Sequence, residues 1–281
     1  MNLISLSGTN SKVKRLRRFV SEKSVRVASG ISVVEGEKLI LELLEPRNLS
    51  VIKDIDTREV SLIEIYLDST QPRLIERFEN LVSTDKNVCQ NINIFKISPK
   101  VLNNISALKN SPGSLALVKT PSPIDLDQLN FNQDIVILAD INDPNNLGPI
   151  VRSSLAFGIS QIVLTGNSCE MYSPKVIRSS VGAVLRCKNV HHESLTSALS
   201  IFKKNGYYLL GTSVKNGEEL KNLKYTSPTA IVLGSESRGI DSKFMTLFDG
   251  VLKIRTEPTV ESLNLSVAAG IILRDIYAAK R

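Results

Sequence analysis

The second half of the chain repeats a pattern that few folds accept. Short, apolar, β-branched runs recur: "DIVILAD" (134–140), "QIVLTG" (161–166), "YYLLGTS" (207–213), "TAIVLGSE" (229–236) and "GVLKI" (250–254). Runs of this length without polar alternation suit strands buried on both faces, as in parallel sheets. Helix-like segments lie between them: Leu147–Phe157, Pro174–Val181, Leu195–Asn205 and Ser242–Phe248. Gly158 and Gly206 stand where helix C-caps belong. Alternating β and α predicts an α/β fold built on a parallel sheet.

The unusual loops fall at one end of these strands. "DINDPNNLG" follows the first run, "GTS" ends the third, and "GSESRG" follows "AIVL". Each lies at the carboxyl end of an expected strand, the edge where open α/β sheets bind ligands. "GSESRG" fits neither G-x-G-x-x-G nor the P-loop pattern, and no other stretch fits either. Dinucleotide and NTP phosphate sites are therefore unsupported, and with them a generic Rossmann oxidoreductase. In "DPNNLGPIVRSS", Asn145 or Asn146 can cap a helix beginning near Leu147, with Pro149 in its first turn. Arg152 then opposes the helix dipole near the ligand edge. An ion pair with Asp143, an RNA phosphate or a developing oxyanion would each account for it.

Near the chain's end, Ser262, Asn264 and Ser266 alternate with leucines before an apolar run. One such residue caps a helix; three leave polar groups for other work. Ala268, Ala269 and Gly270 then allow another backbone to approach. His191 and His192 follow a strand-like run and read as a loop pair with no acid pattern around them, and no metal site is indicated.

The first half is different. Seven basic residues (Lys12, Lys14, Arg15, Arg17, Arg18, Lys23 and Arg26) precede residue 27 against one acid, Glu22. That concentrates much of the chain's net charge of +7 in one place. Val13, Leu16, Phe19 and Val20 recur there at helical spacing, so an amphipathic helix with a basic outer face is expected. Such a face suits a polyanion, most simply nucleic acid. "EGEKLILELL" from Glu35 reads as a helix, and "LIEIYLD", "INIFKI" and "GSLALVK" read as strands, giving a small mixed α/β domain. "KTPSPIDLDQLNFNQ", with two prolines and no periodicity, reads as a linker. The expected division is residues 1–118, a linker 119–133 and a second domain 134–281.

A hydrophobic content of 42% with 22% charged residues describes an ordinary globular chain. No apolar run reaches the roughly 18 residues of a membrane span, and "MNLISLSGTN" does not read as a secretory signal. Cys89, Cys169 and Cys187 have no zinc-like spacing and suggest reduced thiols in a cytoplasmic compartment.

In order and spacing, "DINDPNNLGPIVRSSLAFG", "IVLGSESRGI" and "ESLNLSVAAGI" resemble the three signature motifs of the SpoU/TrmH family, a branch of the SPOUT class of RNA methyltransferases. "SPKVIRSSVGAVLR" resembles the family's segment after the second strand, and "VVEGEKLILELL" and "SPGSLALVK" resemble its small L30e-like substrate-binding domain. The resemblance implies S-adenosylmethionine as donor and a ribose 2′-hydroxyl of RNA as acceptor. Ribosomal RNA is favoured over tRNA. It also implies a C-terminal trefoil knot and a homodimer.

Position by position, it makes Asn146 and Arg152 of the first motif, Glu236 of the second, and Ser262 and Asn264 of the third the catalytic set. Thr212, Gly234, Ile254 and Leu263 become donor contacts. Apart from the motifs, the basic run offers Lys12, Lys14, Arg15, Arg17 and Arg18 as the expected RNA contacts. Ser237, Arg255 and Pro258 depart from the family's usual residues, and all lie near the donor loop. A non-catalytic RNA-binding or assembly protein with a decayed methyltransferase fold is the competing class; the intact polar set argues against it. Neutralising a guanidinium at neutral pH costs about 8 kcal/mol, most of what alignment supplies. The arginine is therefore expected to act as a cation rather than a base.

Overall fold

The computed structural model describes residues 4–44, 60–84, 92–222 and 228–280. The chain divides into two compact units, one of Met1–Ser122 with Tyr172–Arg186, the other of Pro123–Met171 with Cys187–Arg281. Cys169 and Cys187 are thiols rather than disulfide halves, and Cys89 lies outside the described residues.

The first unit runs β1 (Ile4–Leu6), α1 (Ser11–Ser21), α2 (Lys23–Ser29), β2 (Ile31–Glu35), α3 (Glu37–Leu44), β3 (Ser61–Asp68), α4 (Pro72–Thr84), β4 (Asn93–Ile97), α5 (Pro99–Ile105) and β5 (Ser114–Lys119). Among the described residues its sheet has the order β1-β4-β3-β5-β2, parallel from β1 to β3 and antiparallel beyond. Asn10 caps α1 by accepting from the Lys12 backbone N–H at 2.9 Å. Val13, Leu16 and Phe19 fall on one face of that helix and are buried with Tyr66, Phe95 and Leu117. A bulge at Leu62/Glu64 shifts the register of β3 against β5. Beyond it, Glu64 and Tyr66 share a face by strand periodicity.

The second unit holds β6 (Ile135–Ala139), α6 (Pro144–Ala156) and β7 (Gln161–Thr165). After α7 (Pro174–Ser179) come β8 (Lys188–His192), α8 (Leu195–Lys204), β9 (Tyr208–Thr212), β10 (Thr229–Leu233), β11 (Gly250–Leu252) and α9 (Leu265–Ala279). Its described strands are all parallel, in the order β11-β9-β10-β6-β7-β8. Every residue of β10 and of β6 is buried, as continuous apolar runs require.

Several expectations change. Although α7 lies between β7 and β8 in sequence, it belongs to the first unit. There Ser32 Oγ donates to the Tyr172 carbonyl at 2.5 Å, and Arg186 pairs with Glu42 at 3.7 Å. The stretch 119–133 is not a loose connector: Leu126 and Leu129 are buried in the second unit's core. Asn130 also exchanges backbone hydrogen bonds with the Gln161 side chain at 2.6 and 3.0 Å. His191 and His192 lie on the edge strand β8, not in a loop, and His192 Nε2 meets Ser197 Oγ at 3.0 Å. Residues 242–247 form a 3-10 helix.

Candidate active site

The sheet places the expected site before any side chain is considered. From β6 the chain proceeds outward to β7 and β8, whereas β10, β9 and β11 lie on the other side of β6. The direction of winding reverses between β6 and β10, which opens a crevice at their carboxyl ends. Leu233 of β10 is paired with Leu138 of β6, so the loops that follow them leave side by side.

Local capping then decides which asparagine faces that crevice. Asp143, not Asn145 or Asn146, is the N-cap of α6; its carboxylate accepts from the Asn145 backbone N–H at 2.8 Å. Pro144 follows at a helix position that needs no N–H donor. Asn146 is left free of capping and is buried, with 5% exposure. Its Nδ2 donates to Glu236 Oε1 at 2.6 Å, and its Oδ1 accepts from Asn264 Nδ2 at 3.0 Å. Asn264 is in turn the N-cap of α9, its Oδ1 accepting from Ser266 N (2.9 Å), Ser266 Oγ (2.6 Å) and Val267 N (3.4 Å). Three segments distant in sequence are thus joined by one chain of hydrogen bonds.

The other two expected catalytic residues stand outside that chain. Arg152 is exposed on α6 and makes no hydrogen bond or ion pair among the described residues; Asp143 is occupied by its cap. Ser262 is exposed and likewise has no described partner. The small residues of α9 serve packing within the unit. Ala269 is fully buried, and a Cβ on Gly270 would lie 3.7 Å from Ser153 Oγ of α6.

The expected donor contacts form a row along the same edge. Thr212 ends β9, pairs in register with Leu252 of β11, and donates from Oγ1 to the Val232 carbonyl of β10 at 2.9 Å. Gly234 follows β10 directly, and Ile254 follows β11 after one residue. A Cβ on Gly234 would stand 2.2 Å from the Gly239 carbonyl carbon, because the loop folds back on itself through a Ser235–Gly239 bridge. The glycine therefore serves the tight return that carries Glu236. A cleft of about 280 Å³ is lined by Leu220, Leu252, Ile254, Arg255, Ile271 and Ile272, among others. Of the four expected contacts it takes in Ile254; Leu263 is half-buried elsewhere on the loop.

In the first unit, the basic helix divides by function. Lys12 Nζ and Arg15 Nη2 reach Glu64 at 2.9 and 2.7 Å, and the Tyr66 hydroxyl donates to the same carboxylate at 2.5 Å. Burial alone would raise the Glu64 carboxyl. The hydrogen bonds from Tyr66 and Lys12 and the charges of Arg15 and Lys12 outweigh it and hold the group below its usual range. Burial and the Glu64 carboxylate push the Tyr66 hydroxyl up. Arg18 pairs with Glu22 at 3.1 Å, while Lys14 and Arg17 are exposed without a described partner. Sequence reasoning overlooked Glu64, although an acid inside the apolar run "LIEIY" is the available signal. It named Asp143 as an ion-pair partner for Arg152 and missed it as the helix cap, signalled by an acid directly before a proline.

A model of the SpoU rRNA methylase family matches residues 133–274, a span that holds Asn146, Glu236 and Asn264. The chain belongs to the SpoU rRNA methylase family. A relative in Synechocystis, an uncharacterized tRNA/rRNA methyltransferase, is 30% identical over 207 residues, 72% of this chain and 73% of its own. Among solved structures, an RNA 2′-O ribose methyltransferase superposes with a TM-score of 0.78 at 22% identity, covering 99% of each chain. AviRb, a SpoU methyltransferase from Streptomyces viridochromogenes in complex with AdoMet, gives 0.77 at 21% identity over 96% of this chain and 98% of its own. An AdoMet-bound rRNA methyltransferase from Sinorhizobium meliloti gives 0.79 at 21% identity over 99% and 98%. At these identities the structures establish a shared fold, and the family match establishes the enzyme class: an RNA methyltransferase.

Proposed function

We propose that this SpoU methylase transfers a methyl group to a ribose 2′-hydroxyl of RNA, with ribosomal RNA as the substrate class. The observation that carries the reading is the Glu236–Asn146–Asn264 chain, which draws the three signature segments to one sheet edge. The family's methyl donor is S-adenosylmethionine. The residues present fit that group. Thr212, Gly234 and Ile254 stand at the carboxyl ends of three neighbouring strands and offer backbone, a hydroxyl and an apolar side chain, as adenosine and a methionine chain require.

The donor supplies an electrophilic methyl on a sulfonium. The protein must align the hydroxyl and manage its proton, and alignment is worth about 7–11 kcal/mol. Arg152, exposed and without a described partner, grips a phosphate and stabilises negative charge building on the 2′-oxygen. Ser262 lies two residues before the α9 cap, exposed and without a described partner, and its hydroxyl is assigned to the same reaction. Glu236 accepts at the tip of its loop.

Lys14 and Arg17, exposed and without a described partner, lead an RNA-binding face, with Lys12 and Arg15 held on Glu64 and Arg18 on Glu22 beside them. The first unit is read as the L30e-like substrate-binding domain. The C-terminal trefoil knot and the homodimer belong to the same proposal, and exposed Val260, Val267 and Ile271 supply an apolar face for a second copy.

The test is methyl incorporation by purified protein from labelled donor into rRNA and tRNA, with the product digested to nucleosides. Label in 2′-O-methylated nucleosides of rRNA supports the reading. Label on a base overturns the ribose assignment, and label in tRNA alone overturns the substrate class.

A further inference from the structure

We infer that the Asn264–Asn146–Glu236 chain is directional, so that Asn264 and Asn146 are positioning residues that hold Glu236 as the acceptor turned toward substrate. The role of Glu236 rests on the methyltransferase reading above; the direction of the chain does not.

A carboxamide can be rotated to exchange its oxygen and nitrogen, so an isolated Asn–Asn–Glu contact has no inherent direction. Here the backbone removes that freedom. Ser266 N–H and Val267 N–H, at 2.9 and 3.4 Å, can only donate. They are the open N–H groups of the first turn of α9, which a cap must satisfy. The atom of Asn264 that faces them is therefore the oxygen, and the Ser266 hydroxyl adds a third donor at 2.6 Å. The nitrogen of Asn264 must then face Asn146, which answers with its own oxygen at 3.0 Å. This leaves the Asn146 nitrogen for Glu236, at 2.6 Å. With 5% exposure, Asn146 has little access to water as a substitute partner. Each amide is committed within the protein, and the chain ends on an oxygen that can accept. Ser266, absent from the expected site, joins it as a further positioning residue.

The test reverses the direction. Asn264→Asp keeps the cap, since Asp and Asn cap equally well, but replaces the donor to Asn146 with an acceptor. Asn146 must turn its nitrogen to residue 264 and its oxygen to Glu236, setting two acceptors face to face. The N264D protein, without donor or RNA, is expected to melt about 3 °C or more below wild type with unchanged helix content. Adding Glu236→Gln supplies an N–H to the turned Asn146, and the double variant is expected to recover most of that loss. A wild-type melting point for N264D, or a double variant no more stable than N264D, overturns the directional chain. Methyl transfer is read separately. The recovered double variant stays inactive if Glu236 is the substrate-facing acceptor, and an active double variant overturns that role alone.

Discussion

Asn146, buried at the start of α6, donates across 2.6 Å to Glu236, exposed on the loop after β10. The bond spans the point where the sheet reverses its winding, so the reacting edge is assembled from parts that share no local sequence. Asn146→Ala leaves the Asn264 nitrogen and the Glu236 oxygen without this partner, at a cost of about 1–3 kcal/mol. The expected result is a lower melting point together with a loss of methyl transfer of 100-fold or more, order of magnitude, in single-turnover assays. Donor affinity, measured by calorimetry, is expected to change little, because Thr212 and Ile254 stand after other strands and the Gly234 turn is held by its own Ser235–Gly239 bridge.

Arg152 separates a charge role from a proton role. Lysine keeps the charge but loses the planar fork. Arg152→Lys is expected to retain measurable activity with the wild-type form of pH–rate profile, whereas Arg152→Ala loses about 100-fold or more. A new amine titration in the profile of the lysine variant would contradict the cation role.

The strands of the second unit were legible because residues such as Ile135–Ala139 are buried on both faces, so their apolar character needs no alternation. Edge strands carry no such mark. β8 reads Lys-Asn-Val-His-His, with Asn189 and Val190 buried and His191 exposed, so its two histidines passed for a loop. The allegiance of α7 was not legible either, because its partners lie about 140 residues away in β2, where Ser32 meets Tyr172. In the candidate site, the motifs marked Asn146, Glu236 and Asn264 but not the bonds between them. Whether Asn146 capped α6 or faced the crevice depended on Asp143 taking the cap.

Glu64 gives the first unit a pH dependence. Its carboxyl is held below the usual range in the folded chain, so it stabilises the fold above the ordinary carboxylate range. That contribution is lost as pH falls through the lowered folded-state value. The difference in melting temperature between wild type and Glu64→Gln should therefore be largest near neutrality and shrink toward about pH 3. A difference independent of pH would show that the carboxylate's ion pairs do not anchor α1.

The same anchoring predicts a split among the basic residues. Lys14→Ala and Arg17→Ala should each weaken RNA binding and reduce the slope of log affinity against log salt by about 1, with melting unchanged. Lys12→Ala and Arg15→Ala should lower the melting point, since each removes a partner of buried Glu64. Equal effects of all four on the salt slope would place the RNA on a different face of the helix.

The most direct measurement is the position of the methyl group after purified enzyme acts on unmodified rRNA with labelled S-adenosylmethionine. The account predicts that the label resists alkaline cleavage of the adjacent phosphodiester, because a methylated 2′-oxygen cannot attack it, and that Asn146→Ala abolishes the label. Label released as base-methylated nucleosides, or label undiminished in the Asn146→Ala protein, would contradict it.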